Sequence, residues 1–368
     1  MEKITLLILF GGKSTEYEVS LISASSIIEN ADREKYDIIT VGITKDGDWY
    51  LYEGGTAAIR DGSWCADTSK LSHAAISPSM SDKALLVMDG EKLRKIHGEK
   101  LRKIHVDVVF PVMHGAYSED GTLQGVLQMS GIPFVGCGCE TSAICMDKGT
   151  TKLVLKNFGI PQAHSIIVNA AAMRDNLDMI IAGCEKISAY PLFVKPANAG
   201  SSVGASKALY RDSLVKALEN AAKYDSKIIV EEYIKGKECE VAVMGNTHFK
   251  VSTVGQIVPG SEFYDYSTKY SSESPATYNI PAEISPESTE TIKKMAPRIA
   301  AILGVKGLSR VDFFVRKVGA REEVIFNEIN TLPGFTEISM YPKLFMNDGM
   351  TYSEIIDRLV DLALGKEL

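Results

Sequence analysis

Excess positive charge, cysteine and long apolar runs are all scarce in this chain. Over 368 residues the net charge is −7, the wrong sign for a partner whose phosphate backbone calls for a concentrated basic surface. Nucleic acid is therefore excluded as a partner. The six cysteines (Cys65, Cys137, Cys139, Cys145, Cys184 and Cys239) show neither zinc-ligand spacing nor the density of a secreted disulfide scaffold. Cys137 and Cys139 read as buried small residues. The one N-terminal apolar run, Ile4 to Phe10, is too short and too poorly flanked for a signal peptide or a membrane span. The expectation is a cytoplasmic protein with no membrane partner. What remains is ordinary: 45% hydrophobic and 24% charged content, in a length that suggests two or three domains.

A Walker A loop is missing as well. ITLLILF followed by GGKS reads as a buried strand, a glycine turn and a helix over Val19 to Asn30, but the motif needs a glycine five residues before Gly12, where Leu7 stands. YDIITVGI is a second strand, Asp46-Gly47 a hairpin turn and WYLY the returning strand. VDVVFP at 106–111 is another buried strand, followed by HGAYSEDGT and a helix carrying Leu123, Val126 and Leu127. This is an open α/β unit, with functional loops expected at the carboxyl ends of its strands. Within it GEKLRKIH at 90–97 recurs unchanged at 98–105, far below any solenoid period, and reads as a duplication in an exposed loop or hairpin.

Further on, MDKGTTKLVLKNFG forms a helix stopped by Gly159. HSIIV and YPLFVKP are strands around a polar helix, and NAGSSVG is a small-residue loop between strands. Asp212 is expected to cap a helix carrying Leu214, Ala217, Leu218 and Ala221. CEVAVM and THFKVSTV pair across Gly245-Asn246. The stretch from Pro259 to about Tyr278 has no useful period, and its four tyrosines with Phe263 favour a lid. Ser285-Pro286 opens a helix that Pro297 is expected to kink, and Thr351 with Glu354 makes a capping box for the last one.

The chemistry centres on SRVDFFV at 309–315 and VIFNEIN at 324–330, two alternating strands joined by a turn. Asp312, Glu328 and Asn330 would supply hard oxygens for Mg²⁺, whose octahedron substrate phosphates complete. The alternative is that these acids are the solvated face of an antiparallel hairpin. The loop at 198–204 offers backbone N–H groups that can cradle phosphate. Lys195 just before it and Lys148 are cations for the same oxygens, or else snorkelling surface residues. Glu231 and Glu238 flank a strand end and glycine turn, where carboxylates can accept from an adenine amine or ribose hydroxyls.

Lysine before a Gly-Ser loop, E-x-Y-x-x-G-x-E, and R-x-D followed by N-E-I-N together resemble the ATP-grasp ligases. More closely, GGKSTEYEVSLIS, HGAYSEDGTLQG, MDKGTTK, VKPANAGSSVG, EFYDYSTKY and NEINTLPGFTEISMYP resemble the D-alanine:D-alanine ligases, in the family's order from residue 11 to 342. The resemblance implies three domains: an N-terminal open parallel α/β substrate domain (1–125), a central domain with the phosphate loop (126–217) and a C-terminal domain (218–368) with the lid at 259–280 and the metal site. The last two are α+β domains enclosing ATP. Lys148, Lys195, Ser202 and Lys269 would then contact ATP phosphates, and Glu231, Tyr233 and Glu238 would frame adenine and ribose. Asp312, Glu328 and Asn330 would hold two Mg²⁺, with Mn²⁺ as a substitute. Arg310 and the Gly334 N–H would stabilise a tetrahedral oxyanion.

For the amino-acid substrates, the resemblance implies that Glu16 pairs with the ammonium of the first D-alanine, and that Glu16, Ser201 and Tyr270 form a hydrogen-bonded trio ordering the lid. His114 reads as a polar pocket residue near that substrate, or as a structural histidine. Ser339 and Lys269 would hold the acceptor carboxylate. Relatives that join D-lactate usually carry histidine where this chain has Tyr270, and serine- or lactate-forming ones tend to carry arginine where it has Met340. D-alanine is thus the expected acceptor, although Glu337-Ile338 departs from the pattern. The implied product is D-alanyl-D-alanine for peptidoglycan synthesis, made through a D-alanyl phosphate by a homodimer. A nucleotide-binding regulator that turns nothing over is the other class in view; loss of Arg310 or a metal ligand would have favoured it, and all are present.

Overall fold

The computed structural model describes residues 2–88, 101–200, 202–258 and 277–367. It places three sheets around a central cavity. The first contains β1 (Ile4–Gly11), β2 (Tyr36–Ile43), β3 (Trp49–Tyr52), β4 (Leu71–Ile76), β5 (Ala84–Met88), β6 (Leu101–His105) and β7 (Val108–Val112), in the order β6-β5-β4-β3-β2-β1-β7. Only β2-β1-β7 are parallel; the four others extend the sheet antiparallel. β1 is buried along most of its length, as its unbroken apolar run requires. It ends in a turn that only glycine fits at Gly11, where φ is +86° and a Cβ would lie 2.2 Å from the Ile43 carbonyl oxygen. The helix Tyr17–Asn30 locks this turn: Ser20 Oγ accepts the Gly11 N–H at 2.8 Å and donates to the Val112 carbonyl at 2.5 Å. The loops after β1 and β7 are thereby held side by side.

The second copy of the octapeptide supplies the edge strand β6, mostly exposed. The first lies outside the described residues.

The second sheet is antiparallel, with order β10-β9-β11-β8 for β8 (Ser165–Asn169), β9 (Leu192–Pro196), β10 (Ser206–Ala208) and β11 (Lys227–Glu232). It thus runs to Glu232, beyond the expected boundary at 217. Helices Ala170–Cys184 and Arg211–Ala221 cover it and close a core of its own. Asp212, expected as the cap of the second helix, sits in its first turn; the cap is Tyr210, whose N–H the Ser213 hydroxyl accepts at 2.9 Å. The expected helix from Met146 is Lys148–Asn157, capped by Asp147, whose carboxylate accepts the Thr150 N–H at 2.9 Å; a separate helix, Cys139–Met146, precedes it.

The third sheet has six strands: β12 (Lys237–Gly245), β13 (Phe249–Val251), β14 (Gly255–Val258), β15 (Thr277–Asn279), β16 (Gly307–Val318) and β17 (Arg321–Asn330). Period-two alternation divides its residues. Val241, Val243, Val311 and Phe313 pack on the helix Pro286–Leu303, which Pro297 does not end. On the other face Ala242, Met244 and Leu308 pack under helices Met340–Asn347 and Tyr352–Ala363, in a core shared with β1, β7 and the helix Tyr17–Asn30. Further along that second face the apolar residues give way to Glu238, Glu240, Arg310 and Asp312, which face the cavity.

Candidate active site

The cavity has a volume of about 780 Å³ and is lined by the second and third sheets and by the segments that follow β1 and β7. Its cationic wall begins where the helix Lys148–Asn157 meets the loop after β9. Lys148 donates its backbone N–H to Ala197 O at 3.1 Å and its Nζ to Ala199 O at 2.9 Å, with Glu328 Oε2 3.6 Å away. It therefore ties the small-residue loop to the acidic hairpin opposite. Behind it Lys195 Nζ and Lys152 Nζ lie 2.6 and 3.0 Å from the Glu231 carboxylate. The three are buried, at 8%, 5% and 4% exposure. Burial alone would raise the pKa of Glu231, but the two ammonium groups win and hold it at about 2. Burial lowers the Lys152 pKa in turn. Ser202 stands in the loop with φ +59° and lines the cavity, as do Tyr233 and Glu238. The Lys207 ammonium sits 4.1 Å from the centre of the Tyr233 ring.

The acidic wall is the β16–β17 hairpin. Asp312 pairs with Glu328 and Arg310 with Asn330, with a register shift just after Asp312. Two carboxylates and an amide are thus opposed on one face that forms a wall of the cavity. Arg310 grips Asp312 with Nε and Nη2 at 2.8 and 2.7 Å, and its Nε lies 3.2 Å from Glu240. Burial works against its charge, yet Asp312 and Glu240 hold its pKa well above the ordinary value. Asn330 gives its amide N–H to Asp312 at 3.2 Å, so its amide oxygen is the atom that could meet a cation. Asp312, Glu328 and Asn330 are the hard-oxygen set that suits Mg²⁺. No cluster of three or more His, Cys, Asp or Glu side chains suited to a metal occurs among the described residues.

At the far end Glu16 lies between two glycines. A Cβ on Gly115 would be 2.9 Å from its Oε2, and one on Gly200 would be 3.1 Å away. His114 is 5% exposed; its Nδ1 lies 2.9 Å from the Leu332 carbonyl and its Nε2 3.3 Å from Ser23 Oγ. A carbonyl only accepts, so Nδ1 bears the proton and Nε2 accepts from Ser23. Burial lowers the His114 pKa, in keeping with a neutral ring rather than a titrating base. Gly334 follows two residues after Leu332, close enough to Ser339 that a Cβ would meet its Oγ at 2.8 Å. Ser339 Oγ accepts the Thr336 N–H at 3.0 Å, and Met340 beside it is buried against Gly255.

Comparison with known proteins decides the family. Sequence models described as D-ala D-ala ligase N-terminus and D-ala D-ala ligase C-terminus match residues 5–137 and 154–361. The chain belongs to the D-alanine–D-alanine ligase family. The D-alanine--D-alanine ligase of Ruminiclostridium cellulolyticum is 47% identical, aligned over 99% of this chain and 96% of that protein. That of Clostridium novyi is 46% identical, over 99% of each. Among solved structures the VanG D-Ala:D-Ser ligase from Enterococcus faecalis matches with a TM-score of 0.87 at 39% identity, covering 98% of this chain and 100% of that one. The D-alanine-D-alanine ligase from Coxiella burnetii matches at 0.83 and 31%, covering 99% and 95%. The ligase family uses ATP and metal ions, which agrees in kind with the walls just described.

All the expected site residues that the structure describes line this one cavity: Glu16, His114, Lys148, Lys195, Ser202, Glu231, Tyr233, Glu238, Arg310, Asp312, Glu328, Asn330, Gly334, Ser339 and Met340. Ser201, Lys269 and Tyr270 lie outside the described residues. Three charged residues escaped the sequence reading. Lys152 is four positions from Lys148 and so on the same helical face, Glu240 alternates with Glu238 on β12, and Glu119 sits in the HGAYSED loop. No helix of the described residues is long and apolar enough to cross a membrane.

Proposed function

We propose that this cavity joins two molecules of D-alanine into D-alanyl-D-alanine while ATP is cleaved to ADP and phosphate, supplying peptidoglycan synthesis in the cytoplasm. What supports the reading best is the convergence in one cavity of Lys148 and Lys195, the oxygen set Asp312, Glu328 and Asn330, and the Glu16 carboxylate at the other end. A carboxylate of the first D-alanine attacks the γ-phosphorus, the bond to ADP breaks, and D-alanyl phosphate forms. The deprotonated amine of the second D-alanine attacks the acyl carbon, and the tetrahedral adduct expels phosphate to leave the dipeptide.

Each group has a stated task. Lys148 and Lys195 offset charge on the phosphoryl oxygens, and Ser202 lies in the loop that encloses them. Glu231 orients both Lys195 and Lys152, while Tyr233 and Glu238 stand where adenine and ribose would lie. Two Mg²⁺, or Mn²⁺ in their place, held by Asp312, Glu328 and Asn330, would polarise the transferring phosphoryl group. Arg310, kept charged and oriented by Asp312 and Glu240, and the Gly334 N–H stabilise the oxyanion. Glu16 takes the first ammonium; Ser201, Tyr270 and Lys269 are assigned to closing the site. The working assembly is a homodimer, as the family resemblance implies.

Met340 and Ser339 bear on the acceptor. Met340 gives a methyl group an apolar neighbour and offers a hydroxyl no partner, which favours D-alanine over D-serine or D-lactate. Because a D-Ala:D-Ser ligase is among the similar structures, the test is competition: ATP, Mg²⁺ and D-alanine with equal D-serine or D-lactate, products weighed by mass spectrometry. D-alanyl-D-alanine is expected to dominate. A dominant D-alanyl-D-serine or depsipeptide contradicts the acceptor assignment, and no turnover with any of them contradicts the ligase reading.

A further inference from the structure

Two side chains of the loop after β7 meet at a single peptide of the C-terminal unit. The Leu332 carbonyl accepts from His114 Nδ1–H at 2.9 Å, and the Leu332 N–H faces the Glu119 carboxyl and lowers its pKa. Glu119 Oε2 also accepts the Gly115 N–H at 2.7 Å. Gly115 is the glycine against which Glu16 packs, so Glu16 and Glu119 flank one backbone position. Both line the cavity. The charged groups around Glu119 are Glu16 from the first glycine turn and Lys148 from the helix Lys148–Asn157; its own loop adds His114, with Arg310 of β16 near that ring. Burial and then Glu16 push the Glu119 pKa up to about 8, against the Gly115 and Leu332 N–H groups and Lys148. At neutral pH it therefore carries a proton. A neutral acid accepts the Gly115 N–H without competing with Glu16 for charge.

We propose that Glu119 is a positioning residue for the first D-alanine: together with His114 it clamps the Leu332 peptide from both sides, fixing the Gly334 N–H two residues on and leaving Glu16 as the charged partner of the ammonium. The inference rests on reading the cavity as a ligase site. It explains why a carboxyl that touches neither phosphate cations nor the metal set stands half-buried in this wall of the cavity. It also gives the N-terminal loop a direct hold on the oxyanion turn.

Two variants and two readouts test it. Glu119→Gln keeps a carbonyl acceptor and never ionises; Glu119→Ala removes the clamp. For the alanine variant KM for the first D-alanine is expected to rise on the order of tenfold with KM for ATP little changed, and the glutamine variant is expected to restore it to within about threefold. Equal KM in alanine variant and wild type, or no rescue by glutamine, overturns the proposal. The second readout is thermal unfolding between pH 5 and about 9 without substrates. A carboxyl whose folded pKa lies above its ordinary 4.5 contributes stability that is full below 4.5 and lost as pH rises to about 8. Glu119→Gln lacks that loss, so its Tm advantage over wild type is expected to widen up to about pH 8 and then level off. A constant difference overturns the proton-bearing role. Unfolding needs no turnover, so a widening difference in an inactive protein sinks the ligase reading alone, and a flat one in an active ligase sinks only this inference.

Discussion

Lys152, Glu231 and Lys195 show how a buried charge cluster constrains its members. With both ammonium groups within 3.0 Å, Glu231 remains ionised where solvation is poor. Removing one partner leaves charge uncompensated, so Lys152→Met is expected to lower unfolding free energy by about 3 kcal/mol, measured in urea at pH 7. A double-mutant cycle with Glu231→Gln should show coupling above about 1 kcal/mol; additivity contradicts the cluster. The pH sign follows from a depressed carboxylate. Its stabilisation is complete above 4.5 and lost as pH falls towards about 2, so the gap between wild type and Lys152→Met narrows in acid. Lys195 and Glu231 were legible in the sequence because each ends a strand beside a glycine-containing turn. Lys152 was not, since a residue at i+4 identifies a helix face but not the strand that face meets. Glu119 carries no periodic signal at all, being in a loop.

At the scale of elements, the β16–β17 hairpin was legible and its meaning was not. Alternation places Asp312, Glu328 and Asn330 on one face, but whether that face meets solvent or a cavity depends on β12 and on the loops after β1 and β7, distant in sequence. In the antiparallel extension β4 and β5 were missed because their strands are short; β6 falls in the repeat expected in an exposed loop or hairpin, and pairs with β5 as an exposed, charged edge. Caps were read more reliably because their chemistry is local. Thr351 Oγ1 accepts the Glu354 N–H at 3.2 Å while Glu354 accepts the Thr351 N–H at 2.7 Å. Thr351→Ala is expected to cost about 1 kcal/mol of stability with turnover unchanged. A loss of turnover at full folding would show that the helix Tyr352–Ala363 does more than support the core.

Across the whole molecule, the apolar cores follow a different division from the chain order. The first sheet and the C-terminal helices share one core, and Asp357 of the last helix accepts from Tyr36 Oη at 2.7 Å and from Lys35 Nζ at 2.6 Å. The central sheet keeps its own core. The cavity thus lies between a joined pair and a separate unit that carries Lys195 and the small-residue loop. The family motifs, spread from residue 11 to 342, made the three-part plan legible; the shared core was not, because it pairs helices more than three hundred residues apart.

In the proposed reaction this cavity activates a carboxylate by phosphorylation and then replaces phosphate with an amine. The most direct test uses D-alanine labelled with ¹⁸O in both carboxylate oxygens, incubated with ATP, Mg²⁺ and the protein, with the released phosphate weighed by mass spectrometry. Attack by the carboxylate makes one labelled oxygen the bridge to phosphorus, and collapse of the tetrahedral adduct leaves it there. One ¹⁸O is expected in the phosphate for each D-alanyl-D-alanine formed. Dipeptide formed with unlabelled phosphate, or labelled phosphate with no dipeptide, would contradict it.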